Sequence, residues 1–291
     1  MSVPVQMLSE PQRLWYGRLV VSAILADGDI DAAEIEFLKE VMGVLKEPAS
    51  KKEILGFVES KQAPPLVPPP TAIPDQILAA IYIELILVCI SDSDFDQSER
   101  DFLSEVAQMM DFTDDYRKKL NIWLEEGLEW KHAQQEMLPQ GSTVAAGLVP
   151  VDQFTGEQKF WYASLMVATI LLDKNLDQFE IEFLKMAISF VEEKQEKLRL
   201  MGHVKNRMAP IINPPPGLAE DILLAIIFSV VQIVSADESI SYREQTYLSN
   251  LFEICDIDPS IHAKILAWCH KGVNWKTNKN GLMTRVRRKN H

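Results

Sequence analysis

Apolar positions along this chain form two kinds of run. Leu14–Ala26, Ile77–Ile90 and Ile222–Ala236 are apolar nearly throughout, interrupted by residues such as Glu84 and Gln232. A helix that is apolar on every side is buried on every side, so these runs predict central helices. Other stretches show a single stripe. Ile35, Leu38, Met42 and Leu45 recur at helical spacing and predict an amphipathic helix over that region. Pro48 is expected to end it. No proline lies between Gln178 and Met208, so the corresponding helix in the second half is expected to run much longer. Pro64–Pro74 and Pro210–Pro216 predict stiff extended connections. Residues 132–153, with Pro139, Gly141, Gly147 and Pro150, have the composition of a linker. Strand-like alternation of useful length is absent. The expected class is all-α.

Self-comparison adds the main finding, because four segments align without gaps. They are DGDIDAAEIEFL from Asp27, DSDFDQSERDFL from Asp92, DKNLDQFEIEFL from Asp173 and DESISYREQTYL from Asp237. The leading aspartates are 65, 81 and 64 residues apart, which groups the segments in pairs. Other landmarks agree. Trp15-Tyr16 returns as Trp161-Tyr162 and Pro68–Pro70 as Pro214–Pro216, both 146 positions on. Trp123, Gly127, Trp130 and Lys131 return as Trp268, Gly272, Trp275 and Lys276, 145 positions on. These spacings predict two tandem helical-bundle units, each with an internal helix-loop-helix duplication. The expected segments are unit one over 1–135, a linker over 136–153, unit two over 154–284 and a basic tail over 285–291.

Composition narrows the function classes. The chain has 291 residues, 47% hydrophobic and 24% charged, the balance of a globular protein of about two domains. Its formal charge is −13, which disfavours DNA and general phosphate-backbone binding. Residues 1–150 hold 12 Lys and Arg against 25 Asp and Glu, while residues 151–291 hold 17 of each. This asymmetry predicts that the first unit meets a protein partner with a basic surface. The tail Arg285–Lys289 is expected to be a solvated end; RNA, acidic lipid and the acidic first unit of another copy are the alternatives. Neither long apolar run reaches the roughly 20 residues that span a bilayer. The N-terminal residues lack a basic region followed by an apolar one, and the expected location is cytoplasmic. Cys89, Cys255 and Cys269 are odd in number with no CxxC spacing, which suits a reducing compartment.

The repeated acidic motif admits two chemistries. Asp31…Glu34, Asp96…Glu99, Asp177…Glu180 and Ser241…Glu244 have the spacing of a capping box, and serine at the last is what a cap tolerates. Asp27, Asp92, Asp173 and Asp237 stand where the preceding helix ends, beside the unfavourable end of its dipole. An Asx-type turn compensates them, or a cation does. In the first unit the loops run D-G-D-I-D and D-S-D-F-D, an alternation that presents oxygens to calcium or magnesium, with Ile30 and Phe95 pointing inward. An EF-hand is excluded, since its sixth and twelfth positions would here be Ala32 and Leu38, or Gln97 and Leu103. The candidate metal ligands are Asp27, Asp29, Asp31, Glu34, Asp92, Asp94, Asp96 and Glu99. A weaker set in the second unit is Asp173, Asp177, Glu180, Asp237 and Glu244.

The stretch Ala26-Asp27-Gly28-Asp29-Ile30-Asp31-Ala32-Ala33-Glu34 after an apolar helix resembles the tellurite-resistance TerB-like domain, found also in DjlA-type co-chaperones, and Ala236-Asp237-Glu238 repeats its start. The resemblance covers most of both units. It implies compact helical domains with an acidic surface that coordinate a metal or dock partners in envelope and stress-response complexes. It implies Asp27, Glu34, Asp92 and Glu99 as the acidic positions of the first unit, and Asp173, Glu180, Asp237 and Glu244 as those of the second. Glycine is missing at positions 93, 174 and 238, and no His-Pro-Asp tripeptide of a J-domain is present.

His132, His203, His262, His270 and His291 show no two-ligand helical spacing, and no GxSxG or phosphate-cradling loop occurs. The paired tryptophans are expected in the core. The expected function is a non-enzymatic partner-docking scaffold, with a divalent cation in the first unit. The rivals are a metal-dependent hydrolase using the acidic loops and a calcium-dependent switch.

Overall fold

The computed structural model describes residues 3–26, 28, 30, 32–91, 95–140, 142, 144, 149–172, 178–235 and 240–289. The protein is all-α: 71% of it is helical, with twelve α-helices and no strand among the described residues. Six helices fill the first half: α1 (Glu10–Ile24), α2 (Ala32–Val44), α3 (Pro48–Ser60), α4 (Asp75–Cys89), α5 (Gln97–Met109) and α6 (Asp114–Glu136). Six more follow: α7 (Gly156–Ile170), α8 (Gln178–Ser189), α9 (Lys194–Asn206), α10 (Glu220–Val234), α11 (Tyr242–Ile254) and α12 (Pro259–Thr284). Each helix of the second run starts 145 or 146 positions after its counterpart in the first. The backbone matches in detail too. Lys61 and Arg207 end α3 and α9 in the left-handed region, and Asp111 and Asp256 adopt it after α5 and α11. Within each run, α1–α2, α4–α5, α7–α8 and α10–α11 repeat one plan: a 15-residue buried helix, a seven-residue connection, then a helix of 12 or 13 residues.

By contacts the chain forms two compact units: Met1–Glu129 with Thr277–His291, and Trp130–Lys276. These bounds differ from the segments drawn on the sequence. The chain changes unit inside α6 and inside α12, and the C-terminal segment folds with unit one.

In unit one, α1 packs against α2, α3, α4 and α5. Its apolar residues leave no wet face; Tyr16, Leu19, Val20, Val21 and Ile24 are all buried. The expected stripe of α2 is displaced. Val41 and Leu45 are buried, and so is Glu34, whereas Ile35 is exposed and Leu38 and Met42 are half-buried. Close packing on α1 draws in the line through Val41: a Cβ on Gly17 would stand 3.0 Å from the Val41 side chain. Pro48 does not stop α2, which ends at Val44; it opens α3, where its missing N–H costs no helical bond. The proline-rich segment after α3 runs antiparallel to α1. Ser22 Oγ donates to the Pro64 carbonyl (3.2 Å), Trp15 Nε1 to Val67 (2.7 Å) and Gln12 Nε2 to Thr71 Oγ1 (2.8 Å).

The end of the chain completes unit one. The tail is tied down by its backbone and by Arg288, while the side chains of Arg285, Arg287 and Lys289 are exposed as expected. Thr113 N donates to the Arg287 carbonyl (3.0 Å) and Lys289 N to that of Asp111 (2.8 Å). Arg288, only 15% exposed, donates from Nε to the Met110 carbonyl (2.9 Å) and pairs with Asp75 (3.3 Å). Tyr116 Oη donates to the Leu282 carbonyl.

In unit two, α7 packs against α8, α9 and α10 around Ala163, Val167, Ile170, Leu184, Val191 and Leu200. The long helix expected from Gln178 does not form. The chain breaks over residues 190–193 without a proline, and Val191 in the break and Leu200 on α9 both join the buried core. All six tryptophans are buried, as expected. Trp130 and Trp268 stack at 4.8 Å and exchange hydrogen bonds, each indole N–H donating to the other's carbonyl (3.0 and 2.7 Å). Gly272 lies under this pair, where a Cβ would come within 2.6 Å of the Trp130 ring.

Candidate functional site

The second helix of each helix-loop-helix begins at the acidic motif, and two copies show how it is built. Asp96 is the N-cap of α5: its carboxylate accepts from the Glu99 amide (2.9 Å), and Glu99 Oε2 accepts from the Asp96 amide (2.9 Å). Ser98 Oγ donates to the same carboxylate. The Glu99 amide, then Ser98, hold the Asp96 carboxyl below its ordinary value. Ser241 caps α11 by the same reciprocal bonds with Glu244. Glu34, Glu99 and Glu244 are all buried, at 6%, 4% and 6% exposure. The capping-box reading therefore holds for Asp96, Glu99, Ser241 and Glu244. Glu180 lies in α8, and its side chain is not described. Asp27, Asp29, Asp31, Asp92, Asp94, Asp173, Asp177 and Asp237 lie outside the described residues, and with them most of the candidate metal set.

Caps elsewhere use different chemistry in the two units. Glu10 on α1 accepts from the amides of Lys46 and Glu47, both at 3.0 Å, at the start of α3. The Glu47 amide is the largest of several bonds that lower its pKa. Unit two has Gly156 at that position and instead pairs Lys159 with Glu192 at 2.6 Å. Ser9…Gln12 and Thr155…Gln158 form matching capping boxes before α1 and α7. Burial pushes the Cys255 and Cys269 thiols up to about 11, so neither is a reactive thiolate at neutral pH.

A feature that the motif does not announce lies beside it. In unit one α4, α5 and α6 enclose a cleft of about 430 Å³. Its apolar floor is Tyr82, Leu103, Ala107 and Leu124, all buried. Arg100, Arg117 and Lys118 stand at its walls with Asp114 and Glu125. Phe95, expected to point into the core, is half-buried here with the Arg100 guanidinium 4.4 Å above its ring. Arg100 pairs with Glu125 (2.7 Å) and Arg117 with Asp114. Arg117 Nε is buried without an acceptor. Comparing the copies would have flagged this place, since unit two has Phe252 where unit one has Ala107 and His262 where it has Arg117.

The surfaces differ a second time. On α9, Leu198 and Met201 are 52% and 56% exposed, and Met208 and Ile211 just beyond are 63% and 84% exposed. The counterparts in unit one are Lys52, Leu55, Gln62 and Pro65. Charge differs less than the sequence halves imply. The C-terminal segment brings five cations into unit one, so 16 Lys and Arg face 24 Asp and Glu there, against 13 and 18 in unit two. Among the described residues, no helix is long and apolar enough to cross a membrane. No family model matches the chain, nor does any curated protein or solved structure.

Proposed function

We propose that the protein is a non-enzymatic, TerB-like docking scaffold whose partner seats an apolar stripe on α9 of unit two. The observation that carries this reading is the exposure of Leu198, Met201, Met208 and Ile211, polar or shorter at most of the matching positions of unit one. Two copies of one buried plan share what folding requires. What separates them at the surface is free to serve binding, since surface substitutions cost little stability. Several exposed apolar groups on one segment mark an interaction face, and methionine adapts to a partner's shape. A net charge of −13 favours cationic over anionic partners in the diffusional approach, and this supports the basic-partner expectation at long range only.

The test transplants unit one's own residues. Leu198→Lys with Met208→Gln, in the full chain, is expected to lose the partner captured by the unaltered protein in the native host while keeping its thermal melt. Capture of the same partner in the same amount by the double variant contradicts the reading.

A further inference from the structure

We propose that the α4–α5–α6 cleft of unit one binds a small organic anion, its apolar body on Leu103 and Ala107 and its oxyanion head on Arg117 and Lys118. The cleft is of ligand size, about 430 Å³, within the roughly 300–1,000 Å³ of small-molecule sites. It has their character as well: a buried apolar floor with a few charged groups converging at the walls.

The second unit shows that neither the opening nor the cations are needed to build this fold. There Phe252 replaces Ala107, is 1% exposed, and lies with its ring centroid 4.4 Å from that of His262, the two planes tilted. Gln245, His262 and Ala263 replace Arg100, Arg117 and Lys118. Unit two buries a phenyl ring at the position of Ala107; unit one has the cleft there, with Arg100, Arg117 and Lys118 at its walls, the two arginines paired with Glu125 and Asp114. That charge is set against the trend of unit one, which carries a net −8, 16 cations against 24 anions.

The groups are suited to an oxyanion. Arg117 is held in place by Asp114, which fixes its guanidinium at the wall of the cleft. A planar guanidinium offers two parallel donors, and a carboxylate or phosphate oxygen is the acceptor that matches them. Lys118 adds a cation on the same wall. Arg100, stacked on Phe95 and tied to Glu125, adds a further lining group from the start of α5.

The experiment uses the full chain and four probes: benzoate, phenyl phosphate, neutral benzamide and inorganic phosphate. Benzoate or phenyl phosphate is expected to raise the melting temperature with the logarithm of its concentration, and benzamide and inorganic phosphate are not. Two variants locate the effect. Ala107→Phe copies Phe252 of unit two, and Arg117→Gln removes the charged donor. Each is expected to weaken binding by about tenfold or more, the scale of a lost charged hydrogen bond or an occupied site. Arg117→Gln decides the matter if Ala107→Phe does not fold. No response to either aromatic anion overturns the proposal. So does an equal response to benzamide or to inorganic phosphate, or undiminished binding by the folded variants.

Discussion

The smallest features of this protein follow from single side chains at helix starts and close approaches. Asp96 holds the first turn of α5 through the Glu99 amide. Removing such a cap costs about 0.5–2 kcal/mol, so Asp96→Ala is expected to lower stability by about 1 kcal/mol in urea unfolding. The carboxyls of Asp96 and Glu10 are both held below their ordinary values by amide hydrogen bonds, Glu99 for the first and Glu47 for the second. The sign follows from linkage. Their contribution is fully present above the unfolded values, 3.8 and 4.5, and is lost as pH falls through the lower folded ones. Melting temperature should therefore decline below about pH 4.5, and less steeply in Asp96→Asn, whose side chain no longer titrates. Gly272 is a packing case. Alanine there meets the Trp130 ring at 2.6 Å and is expected to cost about 1–3 kcal/mol, the range of overpacking. An unchanged midpoint for Gly272→Ala would show that the stacked tryptophans have room to yield.

At the scale of elements, periodicity predicts a helix well when one force decides it. Leu14–Ala26, Ile77–Ile90 and Ile222–Ala236 became α1, α4 and α10 because burial on every side leaves no other solution. The caps at Asp96 and Ser241 were legible for a similar reason: a reciprocal pair of bonds needs only local sequence. Where neighbours compete, the pattern misleads. The stripe of α2 turned toward Val41 because of its approach to α1, and the break between α8 and α9 holds no proline, with Val191 in it buried in the core. The cleft was not legible from any one helix, since Tyr82, Leu103 and Leu124 come from three. The acidic loops give an element-scale prediction. If Asp27, Asp29, Asp92 and Asp94 hold calcium or magnesium, the ion stabilises the chain by the logarithm of its concentration over its dissociation constant. Melts with each ion and with chelator read this directly, and no shift at millimolar ion removes the cation.

The whole molecule depends on its far end. Residues 111–113 follow α5, yet the Thr113 amide and the Asp111 carbonyl bond to Arg287 and Lys289, a closure that sequence spacing does not reveal. Deleting residues 285–291 breaks four backbone or arginine hydrogen bonds, to Asp75, Met110, Asp111 and Thr113, and about 2–4 kcal/mol of stability is expected to go with them. The surface pair Lys289–Asp114 adds little to that figure, being exposed. Unit one should accordingly lose amide protection on truncation while α7–α11 keep theirs. The same dependence rules out reading function from residues 1–135 alone, because that piece lacks the segment that completes its fold. It also recasts the charge asymmetry of the sequence: once five cations return to unit one, acidity separates the units less than their exposed apolar residues do. Hydrogen–deuterium exchange on the full chain, alone and with the partner recovered from the native host, tests the docking account most directly. Slowed exchange is expected over α9 and residues 207–213, abolished in Leu198→Lys/Met208→Gln; protection elsewhere, with α9 unchanged, places the partner on another face and refutes docking at α9.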